Sequence, residues 1–533
     1  MKAVQFVFII LIIFITFYAY NECVNNSFVY DDHYFVEKNL AIRSLKNIPR
    51  FFLDPIHTNA STEWKGIYRP LRTTSYALEY KLYRLDPGGY HLTNLMLHII
   101  NVVLTFIFVN LLTSDKRISI ITTLLFAIHP AYSEAVLWIG SRADLLLGFF
   151  ELLTIITFIL FIRTGNKKYY VWTIFNFILA LLCKETAIVT PVIFLAISKA
   201  MGKKPKRKTI ILPFVIAFIY LPVRIYLMQG FAQREWWGGS FINNFLTAIK
   251  LISHYIYLLI FPYHLSVDYG IKPVQSLFDL QLIISTFIII VVLWLSYKWV
   301  KTKKSMQWLG VVWFFLFLAP ALNFIPITTI TGDRFLYLSC IGIFMSIASI
   351  IFSFKTKQAK TIFLLLLLML SATYVITIKN RTREWNNDYS LFSSVLKYNP
   401  NSWMSYQDLG TLHYQIKDYK NAHQFFLKAL SIRNDHPLTY KSLGLIALET
   451  GHVDEAQKYF LKALLLNPGD SEIGNLVAIT FDIQKRYDVA KQLYKRYLEI
   501  DPQNHHIKTN MEKLYRKLKK SKTSSLQTEQ QQQ

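Results

Sequence analysis

Residues 361–378 read TIFLLLLLMLSATYVITI, and residues 379–390 read KNRTREWNNDYS. The first stretch is apolar and is long enough for a helix to cross the hydrocarbon core of a bilayer, which is about 30 Å thick. The second stretch is polar and charged, and an amphipathic pattern follows it toward the C-terminus. The sequence therefore predicts an all-α chain, with a polytopic membrane helical domain followed by a soluble helical domain.

The composition agrees with a membrane protein that has basic loops. Of the 533 residues, 53% are hydrophobic and 17% are charged, yet the formal net charge is +25. The mean hydropathy is +0.30. Lys and Arg runs lie between apolar stretches, which argues against nucleic acid as a partner. The three cysteines are far apart and form no CxxC pair, so neither a disulfide framework nor a zinc site is predicted.

Apolar stretches before Lys379 predict about eleven membrane crossings, with the N-terminus inside and the C-terminus outside. They are placed at 3–20, 91–112, 118–138, 144–162, 169–187, 188–200, 209–228, 277–297, 307–325, 335–354 and 361–378. Basic residues recur in every second loop, which sets this orientation by the positive-inside rule. The stretch 243–262 contains Lys250 and His254 and is predicted to lie at the membrane interface. The apolar run after Lys2 is interpreted as a retained first helix rather than a signal peptide.

The C-terminal part of the chain repeats with a period of 34 residues. Leu409-Gly410 recurs as Leu443-Gly444, and Ala422, Ala456 and Ala490 occupy equivalent positions. Small residues at fixed sites allow paired helices to approach, as in tetratricopeptide repeats. The predicted domains are therefore a membrane domain at 1–379 with a long outer loop at 21–90, about three repeats plus a half-unit at 380–516, and a disordered polar tail at 517–533. Such repeats bind peptides or protein segments in a concave groove.

Charged residues cluster in the loops and helix ends that this topology places outside. The candidates for chemistry are Asp31, Asp32, Arg69, Arg72, His129, Glu134, Arg142, Asp144, Lys184, Glu185 and Arg334. Adjacent carboxylates are able to divide the work of a general base and a substrate-orienting group, and Arg suits phosphate. The alternative is structural: Asp31-Asp32 as a solvated acidic turn, and the other charges as ion pairs or helix caps. The spacing of His129 and Glu134 is not that of an HExxH zinc site.

An ordered series of motifs resembles the transmembrane and tetratricopeptide repeat-containing O-mannosyltransferases and their bacterial relatives. The matching segments are Tyr30-Asp31-Asp32, Tyr68-Arg69-Pro70-Leu71, Gly89-Tyr90-His91-Leu92-Thr93-Asn94, His129-Pro130, Gly140-Ser141-Arg142-Ala143-Asp144, Lys184-Glu185-Thr186, Leu265-Ser266-Val267-Asp268-Tyr269 and Asp333-Arg334. Each motif alone is weak, whereas their order along nearly the whole chain is specific.

The resemblance implies a membrane glycosyltransferase of the type C fold. Its donor would be a polyprenyl-phosphate sugar, mannose or a similar hexose, and its acceptor a protein hydroxyl on the lumenal or periplasmic face. The resemblance assigns the catalytic role to Asp31 and Asp32, with Asp32 preferred as base. Arg69, Arg72, Arg142, Lys184 and Arg334 are unranked candidates for stabilising the departing phosphate. No metal and no other cofactor is required by this interpretation.

The resemblance leaves the compartment and the class of activity open. The repeats are few compared with the long arrays of the animal enzymes, which favours a bacterial inner membrane with the repeats in the periplasm. The alternative is the endoplasmic reticulum membrane with the repeats in the lumen, where the sequons at Asn25, Asn59 and Asn380 would be usable. Two other functions remain: a non-enzymatic scaffold whose repeats recruit partners, and an oligosaccharide ligase with a pyrophosphate-linked donor.

Overall fold

A computed structural model describes residues 2–58, 67–228, 235–326 and 329–531. The chain is 81% helix, and the described residues form no strand. It divides into two compact units, Met1–Leu391 and Phe392–Gln533. The all-α fold class is therefore confirmed. The sequon at Asn59 lies outside the described residues.

Within the described residues, the first unit contains sixteen α-helices and the start of another. They are α1 (Lys2–Tyr20), α2 (Ile48–Leu53), α3 (Pro55–Thr58), α4 (Pro70–Tyr83), α5 (Pro87–Thr113), α6 (Lys116–Ile128), α7 (Ser133–Leu137), α8 (Arg142–Thr164), α9 (Lys167–Cys183), α10 (Thr190–Ala200), α11 (Arg207–Leu227), α12 (Phe241–Ile260), α13 (Leu280–Lys301), α14 (Ser305–Leu318), α15 (Leu336–Ser353) and α16 (Lys357–Glu384). Helix α17 (Asp388–Tyr398) begins before the boundary between the units.

Seven helical segments among the described residues are long and apolar enough to cross a membrane. An eighth forms if α6 and the segment Pro130–Leu137 count as one span, bent by 55°. Pro130 explains the break, because proline lacks the N–H that would continue the helical hydrogen bonding. A multi-pass membrane protein is therefore confirmed, and the number of eleven crossings stays a prediction.

Three of the predicted crossings fall on shorter helices. The stretches 169–187, 188–200 and 307–325 correspond to α9, α10 and α14, which contain 17, 11 and 14 residues. A helix rises 1.5 Å per residue, so α10 extends only about 16 Å, roughly half of the hydrocarbon core. The sequence pattern does not show where these helices end, and whether each of them crosses the membrane stays a prediction. Helix α12 does form over the predicted interfacial stretch, and its place in the membrane stays a prediction.

Helices α14 and α15 pack with their backbones in close contact. A Cβ added to Gly310 would lie 2.2 Å from the carbonyl oxygen of Gly342, and one added to Gly342 would lie 2.3 Å from that of Gly310. Small residues allow such an approach between membrane helices, where van der Waals packing replaces the hydrophobic effect as the driving force. Helix α15 also packs against α6, and through this contact the core positions the start of α15, where Asp333 and Arg334 lie.

The second unit is built from consecutive helix pairs. They are α18 (Trp403–Gln415) with α19 (Tyr419–Ile432), α20 (Pro437–Glu449) with α21 (Val453–Leu466), and α22 (Ser471–Ile483) with α23 (Tyr487–Ile500), followed by α24 (His505–Gln531). The first helices of the pairs begin at Trp403, Pro437 and Ser471, which keeps the 34-residue period. A Cβ at Gly410 or Gly444 would collide with the ring of Phe426 or Phe460, respectively. The predicted close helix pairs are confirmed.

Two predicted boundaries differ from the structure. The membrane domain was expected to end at residue 379, whereas α16 continues to Glu384 and the first unit extends to Leu391. The tail at 517–533 was expected to be disordered, whereas α24 continues to Gln531. After Pro502 the chain contains no glycine or proline. Its Lys, Leu, Glu and Gln residues are good helix formers, which fits the helix, and the disorder of this tail stays a prediction.

Candidate active site

The loop that follows α1 carries the two adjacent carboxylates. Asp32 is fully buried, and its Oδ1 accepts the backbone N–H of Gly140 at 2.7 Å. Its Oδ2 accepts the backbone N–H of Val29 at 3.2 Å. Burial raises the pKa of Asp32 well above its usual range, and these two hydrogen bonds oppose the shift. Asp32 therefore holds its own loop against the segment that precedes α8.

Asp31 has a different environment. Its side chain is 7% exposed, and within the described residues its carboxylate makes no hydrogen bond or salt bridge. Burial raises the pKa of Asp31 to about 7, against the attraction of the Arg334 and Arg72 guanidiniums. A carboxylate that titrates near neutral pH and has unused oxygens is suited to accept a proton.

Arg72 is the second charged group in this cluster that has no direct partner. It is 2% exposed, and its guanidinium lies 4.0 Å from the ring centroid of Phe35. Across the parts of the chain that the structure describes, no side chain or carbonyl group accepts a hydrogen bond from it, and its Nε is buried. Burial lowers the pKa of Arg72 to about 10, so the group stays charged at neutral pH. A buried cation with free donors is a candidate for binding an anion.

The remaining charges near Asp31 and Arg72 are paired. Arg69 Nη2 lies 3.1 Å from Glu185 Oε1, and Lys184 Nζ lies 2.5 Å from Asp144 Oδ1. Arg334 pairs with Glu134 through both its guanidinium and its backbone N–H. A cavity of about 20 Å³ lies between these groups, and its lining includes Asp144, Lys184, Thr186, Arg334, Phe335 and Tyr337. Lys184, Asp144 and Arg334 therefore converge on one small polar space.

Among the sequence candidates, the cavity lining contains Asp144, Lys184 and Arg334, whereas Arg142 and His129 are bonded elsewhere. Arg142 is fully buried and donates to the Glu79 carboxylate at 2.7 Å, to the Tyr90 carbonyl oxygen at 2.8 Å and to the Asn94 side chain. His129 has both ring nitrogens engaged, Nε2 with the Leu259 carbonyl oxygen and Nδ1 with the Ala131 N–H. Their hydrogen bonds are made within the protein, so in this structure neither side chain is directed at the cavity.

The structure adds residues that the sequence did not single out. Asp388 contacts the loop of Asp31 and Asp32, bonding to the Tyr30 backbone N–H and to the His33 ring. Arg381 lies 3.7 Å from Asp333, whose other carboxylate oxygen accepts from the Tyr269 hydroxyl. Arg381 and Asp388 follow the last apolar run, where they resembled an ordinary linker. Their only signal was polar character directly after a membrane helix.

No cluster of three or more His, Cys, Asp or Glu side chains that could hold a metal ion occurs within the described ranges. The expectation that the reaction needs no metal stays a prediction.

Comparisons with known proteins agree with both parts of the chain. Tetratricopeptide repeat models match residues 405–436 and 442–505. Protein O-mannosyl-transferase F38B6.6 of Caenorhabditis elegans is 25% identical over 75% of this chain and 59% of its own length. Human protein O-mannosyl-transferase TMTC3 is 26% identical over 72% and 47%, respectively. Drosophila melanogaster protein O-mannosyl-transferase Tmtc1 is 34% identical over 33% of this chain and 20% of its own length.

The chain thus spans about half the length of the Caenorhabditis elegans and human relatives. The resemblance to the transmembrane and tetratricopeptide repeat-containing O-mannosyltransferases, first recognised from the motifs, is confirmed.

Proposed function

We propose that this chain is a membrane glycosyltransferase that moves mannose, or a similar hexose, from a polyprenyl phosphate to a protein hydroxyl. One observation carries this proposal. Asp31 and Arg72 are a carboxylate and a guanidinium without a hydrogen bond or salt bridge among the described residues, in a cluster whose other charges are paired. A reaction that needs a proton acceptor and a phosphate-binding cation would use these two groups.

Asp31 acts as the general base in this mechanism. The acceptor oxygen attacks the anomeric carbon and forms the new glycosidic bond, while the bond from that carbon to the phosphate oxygen breaks. The acceptor proton passes to Asp31, and the electron pair leaves with the polyprenyl phosphate. The motif resemblance favoured Asp32, but its two oxygens are already occupied by backbone N–H groups. The geometry therefore supports Asp31 as base and Asp32 as the residue that positions it.

Cations near Asp31 stabilise the departing phosphate. Arg72 offers unused N–H donors, and Lys184 and Arg334 line the adjacent cavity. Stabilising charge that develops in the transition state is the largest contribution in many enzymes. These three residues are our ranked choice from the five cations that the sequence proposed. Arg69 is tied to Glu185, and Arg142 is occupied elsewhere.

An apolar groove supports a polyprenyl donor. It has a volume of about 560 Å³ and is lined by Ile188 and one face of α11, comprising Ile211, Phe214, Val215, Ala217, Phe218 and Leu221. Arg224 lies one helical turn beyond Leu221 and 3.9 Å from Glu185, which also binds Arg69. A hydrocarbon chain along α11 would thus have the charged cluster at one end. We assign this groove to the lipid part of the donor.

The protein acceptor is proposed to bind the repeats, because tetratricopeptide arrays bind extended segments. We place the transfer on the lumenal or periplasmic face. The relatives reported above come from animals, which supports the endoplasmic reticulum membrane over the bacterial inner membrane that the small repeat number favoured.

The test is sugar transfer by the full chain in detergent or liposomes, using radiolabelled polyprenyl-phosphate mannose and a Ser/Thr-rich peptide. We expect transfer by the wild type and a loss of about a thousandfold in kcat for Asp31→Asn, which keeps the shape but removes the base. Asp54→Asn is the matched control, since Asp54 forms an exposed pair with Arg50 in the same outer loop. Transfer only from a pyrophosphate-linked donor would indicate a ligase. Wild-type protein inactive with both donors would favour the scaffold function.

A further inference from the structure

The segment after α16 packs onto the loop that carries Asp31 and Asp32. The Ser27 N–H donates to the Asn386 carbonyl oxygen at 2.9 Å, and the Asn26 side chain donates to the Thr382 carbonyl oxygen at 3.1 Å. The indole rings of Trp138 and Trp385 stack with centroids 6.2 Å apart. These contacts all lie in the first unit. They bring Asp388 to the acidic pair from more than 350 residues away in sequence.

The Asp388 carboxylate contacts the residue before and the residue after the acidic pair. Asp388 Oδ1 accepts the backbone N–H of Tyr30 at 2.8 Å, and Asp388 Oδ2 lies 2.7 Å from His33 Nε2. Tyr30 directly precedes Asp31, and His33 directly follows Asp32. The loop is therefore held at its entry and at its exit by a single side chain.

The entry contact supports an unusual backbone conformation. Tyr30 has a φ of 57°, which is in the left-handed region that an aromatic residue rarely adopts. Such conformations persist only where surrounding contacts compensate their cost. The hydrogen bond that the Tyr30 N–H donates to Asp388 is one such contact, and the Trp138 ring, with its centroid 5.6 Å from that of Tyr30, is another. Because Tyr30 sets the direction of the next residue, its conformation determines where the Asp31 carboxylate points.

The exit contact is an ion pair. His33 Nδ1 lies 2.7 Å from Glu37 Oε2, so the imidazole is placed between two carboxylates. Hydrogen bonding to Asp388, and then to Glu37, raises the pKa of His33 to about 9 although burial opposes the shift. His33 is therefore a cation at neutral pH, and the carboxylates of Asp388 and Glu37 are its counterions, each 2.7 Å from a ring nitrogen.

We infer that Asp388 is a positioning residue for sugar transfer, which holds the left-handed turn at Tyr30 and the His33 side chain so that the Asp31 carboxylate faces the acceptor. This inference rests on the proposed function, since it assigns Asp388 a role through Asp31. Asp388 itself makes no contact with the reacting atoms in this scheme.

The kinetic test compares Asp388→Ala with Asp388→Asn in the transfer assay. The alanine variant loses both contacts. We expect its kcat to fall about a hundredfold, because misplacing a catalytic group by about 1 Å costs about that factor in rate. Its KM for polyprenyl-phosphate mannose should stay within about twofold of the wild-type value. The asparagine variant keeps an oxygen that accepts the Tyr30 N–H, and we expect its kcat to be about tenfold higher than that of the alanine variant. Asp54→Asn again serves as control. An alanine variant with wild-type kcat would overturn the inference. A rise in donor KM as large as the fall in kcat would also overturn it.

A second measurement does not depend on activity. Amide hydrogen exchange of the full chain in detergent reports the protection of residues 27–36. We expect faster exchange there in Asp388→Ala, with α5 unchanged as an internal control, since loss of the contacts favours local opening. Unchanged exchange in residues 27–36 would overturn the inference even if the wild type transfers no sugar. An inactive wild type with faster exchange in the variant would overturn only the proposed function, leaving Asp388 as the residue that holds the loop.

Discussion

The carboxylate of Asp32 accepts the backbone N–H of Gly140 at 2.7 Å and joins two segments that lie 108 residues apart in sequence. One is the loop after α1, and the other is the turn that opens α8. Asp32 is fully buried and satisfies a second backbone N–H, that of Val29. These contacts separate the roles of the two adjacent carboxylates, and the following predictions use the difference.

Asp32→Asn is expected to destabilise the protein, because an amide group cannot accept both backbone N–H groups and would turn its NH₂ toward one of them. The cost of a buried unsatisfied donor is about 1–3 kcal/mol. Thermal unfolding in detergent should show a lower Tm for this variant. Asp31→Asn is the matched control and should unfold at the wild-type temperature, since its carboxylate has no hydrogen-bond partner among the described residues. Equal Tm values for all three proteins would contradict the structural role of Asp32.

The pH dependence of transfer should follow the ionisation of Asp31. Its pKa is about 7, raised by burial and opposed by Arg334 and Arg72. A general base works only when it is deprotonated, so kcat/KM should rise with pH through about 7 and level off above it. Asp32 is the other carboxylate that faces Asp31. Arg72→Gln removes one of the two cations and should move this rise toward higher pH. A rise that moves toward lower pH would contradict the assignment.

Arg72 and Arg142 are both buried, yet replacing each by Gln should affect different quantities, the donor KM for Arg72 and the stability of the fold for Arg142. Arg72→Gln should keep the fold and raise the donor KM, by about 10- to 100-fold for the loss of a charge-assisted hydrogen bond to phosphate. Arg142→Gln leaves the buried Glu79 carboxylate without its cation, which costs about 3–5 kcal/mol. Paired measurements of Tm and donor KM distinguish the two outcomes. A large loss of Tm in Arg72→Gln would show that Arg72 is structural.

Gly310→Ala tests the close contact between α14 and α15. The added Cβ would lie 2.2 Å from the Gly342 carbonyl oxygen, and backbone atoms cannot move aside cheaply. We expect a loss of about 1–3 kcal/mol, the usual cost of overpacking, seen as a lower Tm. Gly469→Ala is the control, because a Cβ there has no atom within 4 Å. A wild-type Tm for Gly310→Ala would mean that the two helices are farther apart than the structure indicates.

Several features followed from local sequence patterns. The helix pairs that begin at Trp403, Pro437 and Ser471 have the 34-residue period that recurring small and aromatic residues predict. The period is visible because each repeat buries side chains at the same positions. The long membrane helices, such as α5 and α15, were recognisable because apolar length is a property of one segment. The charged candidates around Lys184 and Arg334 were also recognisable, since charged residues at membrane depth are costly and tend to mark functional sites.

Other features depended on contacts between distant segments. The sequence does not show where α9 ends and α10 begins, because the pattern stays apolar across the break at Lys184. Nor does it distinguish Asp31 from Asp32, which are neighbours of the same chemical type. Only the tertiary structure places Gly140 against Asp32 and leaves Asp31 near Arg72 and Arg334.

The sequence by itself thus determined the helical class, the repeats and the set of charged residues, because each depends on the composition or period of one stretch of chain. The tertiary structure alone decided which of these charges are paired and which have no partner among the described residues. That choice depends on distances between α1, α4, α8, α15 and the segment at Asp388, which no local pattern encodes.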